Sequence, residues 1–265
     1  MEDSSETCQC PPRSRINNAE CRNLVICIDD TSNKSGTTNT NVVELYSQIL
    51  QEESGEQLTY YDSGIGTSAT PSWKSWSYLK QVVDNKIDLL IAWNLEKVII
   101  GAYRWLSNHY REGDKIFLFG FSRGAFQVRA LAGMVETVGL ILPGNQAQIP
   151  LAYELYAAGD KHMAIASKFK RTFSRKYVRV HFVGVWDTMS TVGLVRRKKM
   201  LPRVECCDSV CYFRHALALD ERRVKFLPQF PGQGQCTANI KEVWFAGTHS
   251  DVYVYPLILL SSPLH

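Results

Sequence analysis

Residues 115–124 read Lys-Ile-Phe-Leu-Phe-Gly-Phe-Ser-Arg-Gly, and an apolar run with helical spacing follows from Ala125 to Leu140. The first five residues have the composition of a buried β-strand, so a strand turns directly into a helix here. At such a turn the serine between two glycines is raised above the sheet, with the helix N-terminus beneath it. The pattern predicts an α/β fold and makes Ser122 a candidate nucleophile with a free hydroxyl.

Gly120 and Gly124 are expected to have a steric role in this turn. A side chain at either position would collide with the neighbouring strand or helix, because the strand and the helix pass close to each other there. Ser122 itself is expected to adopt an unfavourable backbone conformation that the surrounding packing sustains. An ordinary tight strand-to-helix turn without catalytic function is the alternative interpretation.

A nucleophilic serine needs a base, and the base needs a carboxylate that orients it. An apolar run over residues 178–186 has strand composition and ends at Asp187, and a short strand over 241–245 leads into a loop that carries His249. Ser122, Asp187 and His249 follow one another in the order that α/β-hydrolases use. We therefore predict an α/β-hydrolase-like fold, with a mostly parallel central sheet and helices on both faces.

Other histidines and aspartates could fill these two roles. His249 is favoured because catalytic side chains converge on strand-end loops in open α/β sheets. The remaining histidines, which fall inside expected elements or lack a strand end, are His109, His162, His181, His215 and His265. His215 falls in a stretch, 213–219, that has helical character. The alternative acids are Asp208, Asp220 and Asp251, but only Asp187 ends a clear strand between the serine and the histidine.

Seven motifs occur in order between residues 24 and 252. They are Leu24-Val-Ile-Cys-Ile-Asp-Asp-Thr-Ser-Asn33, Thr40-Asn-Val-Val43, Tyr60-Tyr-Asp-Ser-Gly-Ile-Gly-Thr67, Gly120-Phe-Ser-Arg-Gly-Ala125, Gly184-Val-Trp-Asp-Thr188, His215-Ala-Leu-Ala-Leu-Asp-Glu-Arg-Arg223 and Val243-Trp-Phe-Ala-Gly-Thr-His-Ser-Asp251. With them the chain resembles the uncharacterised α/β-hydrolase domain family that includes the catalytic domains of type VI secretion phospholipase effectors. The resemblance implies Ser122 as nucleophile, His249 as base and Asp187 as its orienting acid. It also implies a lipid ester substrate and a phospholipase or lipid esterase activity.

The sequence departs from the family pattern after its first strand. Where the family usually has Asp-Gly-Thr, this chain has Asp29-Asp30-Thr31. The resemblance implies that this loop supplies one backbone donor of an oxyanion hole, from Asp30 or Thr31, and that the N–H of Arg123 supplies the other. The charge of Asp30 would oppose a developing oxyanion if its side chain pointed inward.

The second departure follows His249, because the chain ends at residue 265 where the family continues into further helices. The packing that holds this histidine is therefore expected to be incomplete. Together with Asp30, this supports an alternative function, a degenerate hydrolase fold that binds a lipid or protein partner without turnover.

Asp29 also raises a rival chemistry, since phosphatases with an aspartyl nucleophile place Asp at such a strand end. These enzymes usually carry a second aspartate two positions later, and here that position is Thr31. The simpler expectation is that Asp29 and Thr31 bind backbone groups of their own loop.

Length and composition favour one compact catalytic domain. The chain has 265 residues and is 45% hydrophobic, which suffices for a single large core. Residues 1–22 are polar and irregular and are expected to be a disordered lead-in to a catalytic domain over 23–265. Within it, residues 188–240 lack regular strand patterning and are expected to form a cap beside the site. The other expected elements are a strand over 24–28 and helices over 41–50 and 79–110.

No secretory signal is visible at the N-terminus, and the apolar run 256–260 is too short to span a bilayer. The protein is expected to be soluble and cytoplasmic. Its eight cysteines lack paired two-residue spacing with nearby histidines, so we expect reduced thiols and no zinc site. No metal or organic cofactor is expected.

The net charge is only +4, but basic residues concentrate between Lys161 and Arg203. The densest cluster is Arg196, Arg197, Lys198 and Lys199. A solvated surface stretch is the simplest interpretation. The alternative is peripheral contact with an anionic membrane surface, where each Lys or Arg contributes about 1 kcal/mol. We expect no nucleic-acid partner.

Overall fold

The structure is a computed structural model that describes residues 21–30, 40–49, 55–63, 80–189, 201–205, 208–220, 238–249 and 251–252. In the helix that begins at Lys80, side chains are described from Asn94 onward.

Six parallel strands form one sheet. They are β1 (Asn23–Ile28), β2 (Gln57–Asp62), β3 (Lys115–Phe121), β4 (Val180–Trp186), β5 (Val210–Ala218) and β6 (Asn239–Phe245). The strand order is β2-β1-β3-β4-β5-β6, and every neighbouring pair is parallel. The predicted parallel sheet is confirmed, and its first, third and fourth strands begin and end close to the predicted residues.

Five α-helices accompany the sheet in the described part of the chain. They are α1 (Asn41–Gln48), α2 (Lys80–His109), α3 (Arg123–Val138), α4 (Ile149–Ala158) and α5 (Met163–Phe173). Short 3₁₀ turns over Gln146–Gln148 and Gly159–His162 join the later ones. None of the helices in the described ranges is both long and apolar enough to cross a membrane.

Both faces of the sheet are covered by helices, as the uninterrupted apolar composition of β1 requires. Successive side chains of a strand point to opposite faces. Leu24 and Ile26 belong to the large buried cluster that includes α2, α3 and α4, while Val25 and Cys27 pack with Val42 of α1 on the other face. The predicted fold class, an α/β-hydrolase-like sheet with helices on both faces, is confirmed.

The predicted cap over residues 188–240 is wrong where β5 occurs. Residues 210–218 form an inner strand between β4 and β6, and the helical character expected for 213–219 is also wrong. Cys211, Phe213, His215 and Leu217 are buried in alternation, which is the period of a strand. The alternation of buried residues is hard to recognise in the sequence, because one buried position is His215 and two of the last three residues of the strand are alanines. The other parts of the predicted cap at 190–200, 206–207 and 221–237 lie outside the described residues.

The boundary of the predicted lead-in is also shifted. Arg22 is buried, and its guanidinium pairs with Asp114, with 2.8 Å between Nη2 and Oδ2. Arg22 therefore belongs to the folded domain, whereas residues 1–20 lie outside the described ones.

Parallel strands bring all their carboxyl ends to one edge of the sheet. Asp29 follows β1, Ser122 follows β3, Asp187 follows β4, and His249 lies in the loop after β6. This edge is where the predicted site residues gather.

Candidate active site

The turn between β3 and α3 has the tight geometry that its glycines predicted. A Cβ added at Gly124 would lie 2.2 Å from the carbonyl oxygen of Ile28, and one added at Gly120 would lie 2.6 Å from the backbone of Gly124. Neither position accepts a side chain without moving backbone. The steric role predicted for both glycines is confirmed.

Ser122 has φ of 56° and ψ of −115°, a conformation that non-glycine residues rarely adopt. Its N–H donates to the carbonyl of Trp186 over 3.0 Å, and its own carbonyl accepts from the N–H of Phe126 over 3.3 Å. These contacts to β4 and α3 hold the unfavourable conformation, which costs on the order of 1–3 kcal/mol.

His249 lies between Ser122 and Asp187. Its Nε2 is 3.0 Å from the Ser122 Oγ, and its Nδ1 is 2.5 Å from the Asp187 Oδ2. A carboxylate accepts hydrogen bonds, so Nδ1 carries the hydrogen and Nε2 presents its lone pair to the serine hydroxyl. The imidazole also stacks on Phe121, with 4.7 Å between ring centroids and 25° between the ring planes. The ring is therefore held at both nitrogens and on one face.

The Asp187 carboxylate is fixed from two strands. It follows β4 with φ of 40°, and its N–H donates to the carbonyl of Ala216 over 2.7 Å. Its second oxygen, Oδ1, accepts from the N–H of Ala218 over 3.2 Å. Oδ2 is left to face His249, so both carboxylate oxygens have a partner.

Two of the alternative acids hold the loop of His249 instead. Oδ2 of Asp220 accepts from the N–H of Gly247 over 2.9 Å, and Oδ2 of Asp251 accepts from the N–H of Thr248 over 2.6 Å. Hydrogen bonds from the backbone and then the side chain of Thr248 lower the pKa of the Asp251 carboxyl. These contacts position the loop and leave Asp187 as the acid that contacts the histidine.

A further contact ties down the chain after His249. The side-chain amide of Asn41, at the start of α1, donates to the carbonyl of Val252 over 2.5 Å. The loop of His249 is thereby joined to α1, which packs on the face of the sheet that carries Val25 and Cys27.

Asp29 binds its own loop, as expected. Its Oδ1 accepts from the N–H of Asp30 over 2.7 Å, and its Oδ2 accepts from the hydroxyls of Thr40 and Tyr61 over 2.8 and 3.3 Å. Burial raises the pKa of the Asp29 carboxyl, although these hydrogen bonds oppose that rise. The Asp30 N–H is thus engaged with Asp29, while Thr31 lies outside the described residues.

The side chain of Asp30 turns toward the nucleophile turn. Its Oδ1 lies 2.6 Å from Nε of Arg123, the residue after Ser122. The resemblance implied a backbone role for Arg123, and no sequence pattern marked its side chain as a partner for Asp30.

The site is covered in this structure. Ser122 is 2% exposed, and the thioether sulfur of Met189 lies 3.2 Å from its Oγ. The expectation of a free hydroxyl is wrong, because the residue two positions after Asp187 folds back onto the serine. No sequence pattern marked Met189.

His215 is a second histidine near the site that the sequence assigned to a helix. Its Nε2 accepts from the N–H of Thr188 over 3.2 Å, and its Nδ1 lies 3.1 Å from Oε1 of Glu242. Burial, and then the nearby Arg129 cation, lower its pKa to about 3, so the ring is neutral. A neutral ring with one donor and one acceptor fits these two partners. No clear sequence signal located it, because the histidine itself interrupts the apolar alternation of β5.

Other expected features lie away from this edge or outside the described residues. His109 stacks on Trp105 in α2, and His181 packs edge-on against Phe117 in the sheet. Within the described ranges, no group of three His, Cys, Asp or Glu side chains could hold a metal ion. The basic cluster 196–199 lies outside them.

A family model described as "T6SS, Phospholipase effector Tle1-like, catalytic domain" matches residues 22–253. The chain belongs to this family. The predicted resemblance to type VI secretion phospholipase effectors is confirmed. The family model itself describes the catalytic domain of phospholipase effectors.

Relatives of this Tle1-like domain include YEL023C, an uncharacterized protein of Saccharomyces cerevisiae, at 34% identity over 218 residues. The match covers 77% of this chain and 32% of the yeast protein, so the chain spans about a third of that relative's length. Among solved structures, an uncharacterized protein from Pseudomonas aeruginosa matches with 15% identity and a TM-score of 0.44, covering 91% of this chain and 42% of that one. An alpha-beta serine hydrolase homologue from Coxiella burnetii matches with 12% identity and a TM-score of 0.35, covering 86% and 76%.

Proposed function

We propose that this domain is a serine hydrolase that cleaves a carboxylic ester of a lipid through an acyl-enzyme. The observation that carries the proposal is the continuous hydrogen-bond chain from the Ser122 Oγ through both nitrogens of His249 to Asp187. Such a chain activates an alcohol for attack on a carbonyl. The lipid class comes from the family, since the chain matches a phospholipase catalytic domain.

In the first step, Nε2 of His249 takes the hydroxyl proton as the Ser122 Oγ attacks the ester carbonyl carbon. The carbonyl electron pair moves to its oxygen, which becomes an oxyanion. The N–H of Arg123, the first residue of α3, is the proposed first donor to that oxyanion. The positive end of the helix dipole lies at the same place.

A second oxyanion donor is proposed from the loop after β1. Asp30 was one candidate, but its N–H already donates to Asp29. Thr31 is therefore the preferred second donor.

Collapse of the tetrahedral intermediate reforms the carbonyl and breaks the bond to the alcohol, which leaves with the proton held by His249. The acyl group remains on Ser122. Water, deprotonated by the same histidine, then attacks the acyl carbonyl and releases the acid. Asp187 stabilises the protonated imidazole during both steps, because its carboxylate faces Nδ1.

The test uses purified protein, a soluble nitrophenyl ester and a fluorophosphonate probe, whose phosphorus is attacked by an activated serine with loss of fluoride. Ser122→Ala and His249→Ala are expected to lose labelling and at least a thousandfold in turnover while they keep the far-UV circular dichroism of the parent. Ser47→Ala is the matched control, because Ser47 is an exposed serine of α1. Turnover retained in Ser122→Ala would rule out the mechanism.

A second candidate function is binding of a lipid or protein partner without turnover. It is favoured by the covered hydroxyl of Ser122 and by the engaged N–H of Asp30. The fluorophosphonate probe separates the two candidates. A parent protein that resists labelling but binds lipid vesicles would support binding alone.

Contact with an anionic membrane remains a proposal for Arg196, Arg197, Lys198 and Lys199. Neutralising all four is expected to weaken binding to phosphatidylserine vesicles at low salt, since each cation contributes about 1 kcal/mol. Unchanged vesicle binding would contradict this docking mode.

A further inference from the structure

Met189 lies directly on the proposed nucleophile. Its Sδ is 3.2 Å from the Ser122 Oγ, and its N–H donates to the Ser122 carbonyl over 3.2 Å. The residue is 6% exposed. The backbone of Met189 is therefore tethered to the turn it covers, so that displacement of the thioether requires rotation of the side chain.

The serine hydroxyl has one hydrogen and two neighbouring acceptors, Nε2 of His249 and Sδ of Met189. A thioether sulfur is a weak acceptor, and a neutral imidazole nitrogen is a stronger one. The hydrogen therefore points to His249 whenever that ring is neutral. Met189 does not compete for the proton, and its effect on the site is steric.

The steric effect falls on the position that a substrate must enter. A carbonyl carbon about to be attacked lies about 3–3.5 Å from the nucleophilic oxygen. The thioether sulfur lies at that distance from the Ser122 Oγ. His249 lies on another side of the serine, and the turn into α3 lies beneath it. Ser122 as a whole is 2% exposed, so an ester has little room to approach it among the residues that the structure describes.

We propose that Met189 is a specificity-determining residue that gates the acyl site, which rests on the function proposed above. Its side chain is unbranched and turns about three bonds, so it can fold away from Ser122 and adapt to different neighbours. The space that an unbranched side chain leaves when it turns away suits a short unbranched acyl chain. The site therefore accepts esters with an unbranched carbon next to the carbonyl and excludes those in which that carbon is branched.

The experiment compares Met189→Ala and Met189→Phe with the parent, using p-nitrophenyl butyrate, its trimethylacetate counterpart and a fluorophosphonate probe. Met189→Ala is expected to label several-fold faster and to gain about tenfold in kcat/KM for the branched ester relative to the butyrate. Met189→Phe is expected to label more slowly. Met163→Ala, which shortens a methionine at the start of α5, is the control and should match the parent.

The outcomes separate this inference from the function on which it rests. Equal labelling rates and an unchanged ester ratio in the parent, Met189→Ala and Met189→Phe would overturn the gate and leave the serine hydrolase intact. Both proposals are supported if Ser122→Ala loses all labelling and if both Met189 variants change the ratio of kcat/KM for the branched ester to kcat/KM for the butyrate. If neither the parent nor any variant labels or turns over, the hydrolase proposal fails and the gate fails with it.

Discussion

Nε of Arg123 lies 2.6 Å from Oδ1 of Asp30, and this ion pair joins the loop after β1 to the first residue of α3. The Asp30 side chain is 8% exposed and that of Arg123 is 28% exposed. Asp30 lies beside the proposed oxyanion hole, at the position where the resemblance implied a glycine. The guanidinium offsets a negative charge that would otherwise face a developing oxyanion.

Arg123→Ala is accordingly expected to lower kcat about tenfold, because it removes a cation that faces the Asp30 carboxylate. Asp30→Gly removes the carboxylate itself, so Arg123→Ala in that background should cost at most about threefold. The measurement is the initial rate of hydrolysis of a soluble ester at two salt concentrations, for the parent, the two single variants and the double variant. Equal costs in the two backgrounds would show that the charge of Asp30 does not reach the reacting atoms.

Gly124→Ala is expected to destabilise the protein by about 3 kcal/mol or more, since its Cβ would lie 2.2 Å from a backbone oxygen that cannot rotate away. Urea unfolding followed by circular dichroism gives the free energy of unfolding. Gly101→Ala is the comparison, because this position is inside α2 and, among the described residues, its Cβ would meet only the hydroxyl of Tyr60, at 3.3 Å. For Gly101→Ala the free energy of unfolding should differ from that of the parent by no more than about 1 kcal/mol. Similar losses for the two variants would contradict a special steric role of Gly124.

Ser122, Asp187 and His249 could be located from the sequence because each follows a strand, and the sheet is parallel throughout. Their convergence is then a consequence of topology. The contacts of Met189 and of the Arg123 side chain could not be located, because they depend on how two loops fold toward each other after their strands end. The periodic pattern of apolar residues identifies the strands, but it does not indicate the direction in which a loop turns after a strand ends.

The inner strand β5 was missed for a different reason. His215 is 1% exposed, and a buried histidine breaks the apolar alternation by which a strand is recognised. Its burial is sustained by Thr188 and Glu242, which come from separate parts of the chain. The sequence does not reveal that such distant partners are present.

Cys27 is expected to resist alkylation in the folded protein. It is fully buried in β1, and burial together with the charge of Asp29 raises the pKa of its thiol to about 12, so little thiolate forms at pH 8. Treatment with iodoacetamide at pH 8, followed by peptide mass spectrometry, measures the modification. Cys27 should be modified in urea and spared without it, whereas Cys21, which is partly exposed, should react faster in the folded state. Equal rates for Cys27 with and without urea would contradict its burial.

His215 should make the fold sensitive to mild acid. Its pKa is about 3 in the folded protein because of burial and the Arg129 charge, against about 6.5 in an unfolded chain. Between these values the unfolded state binds a proton that the folded state does not, so stability falls as the pH decreases from about 6.5 toward 3. The loss from pH 6.5 to 5 is on the order of 1–2 kcal/mol. The raised pKa of Glu242 has the opposite sign, since its carboxyl binds a proton more readily in the folded state.

His215→Gln removes this titration and keeps a neutral side chain that can donate and accept. Its free energy of unfolding should be lower than that of the parent at pH 7 and should change less between pH 7 and pH 5. Because Thr188 follows Asp187 directly, the variant should also lower kcat with little change in KM, and His162→Gln, an exposed histidine, should do neither. An equal pH dependence of unfolding in His215→Gln and the parent would mean that the ring binds its proton equally well in the folded and unfolded protein, which would contradict the lowered pKa of His215.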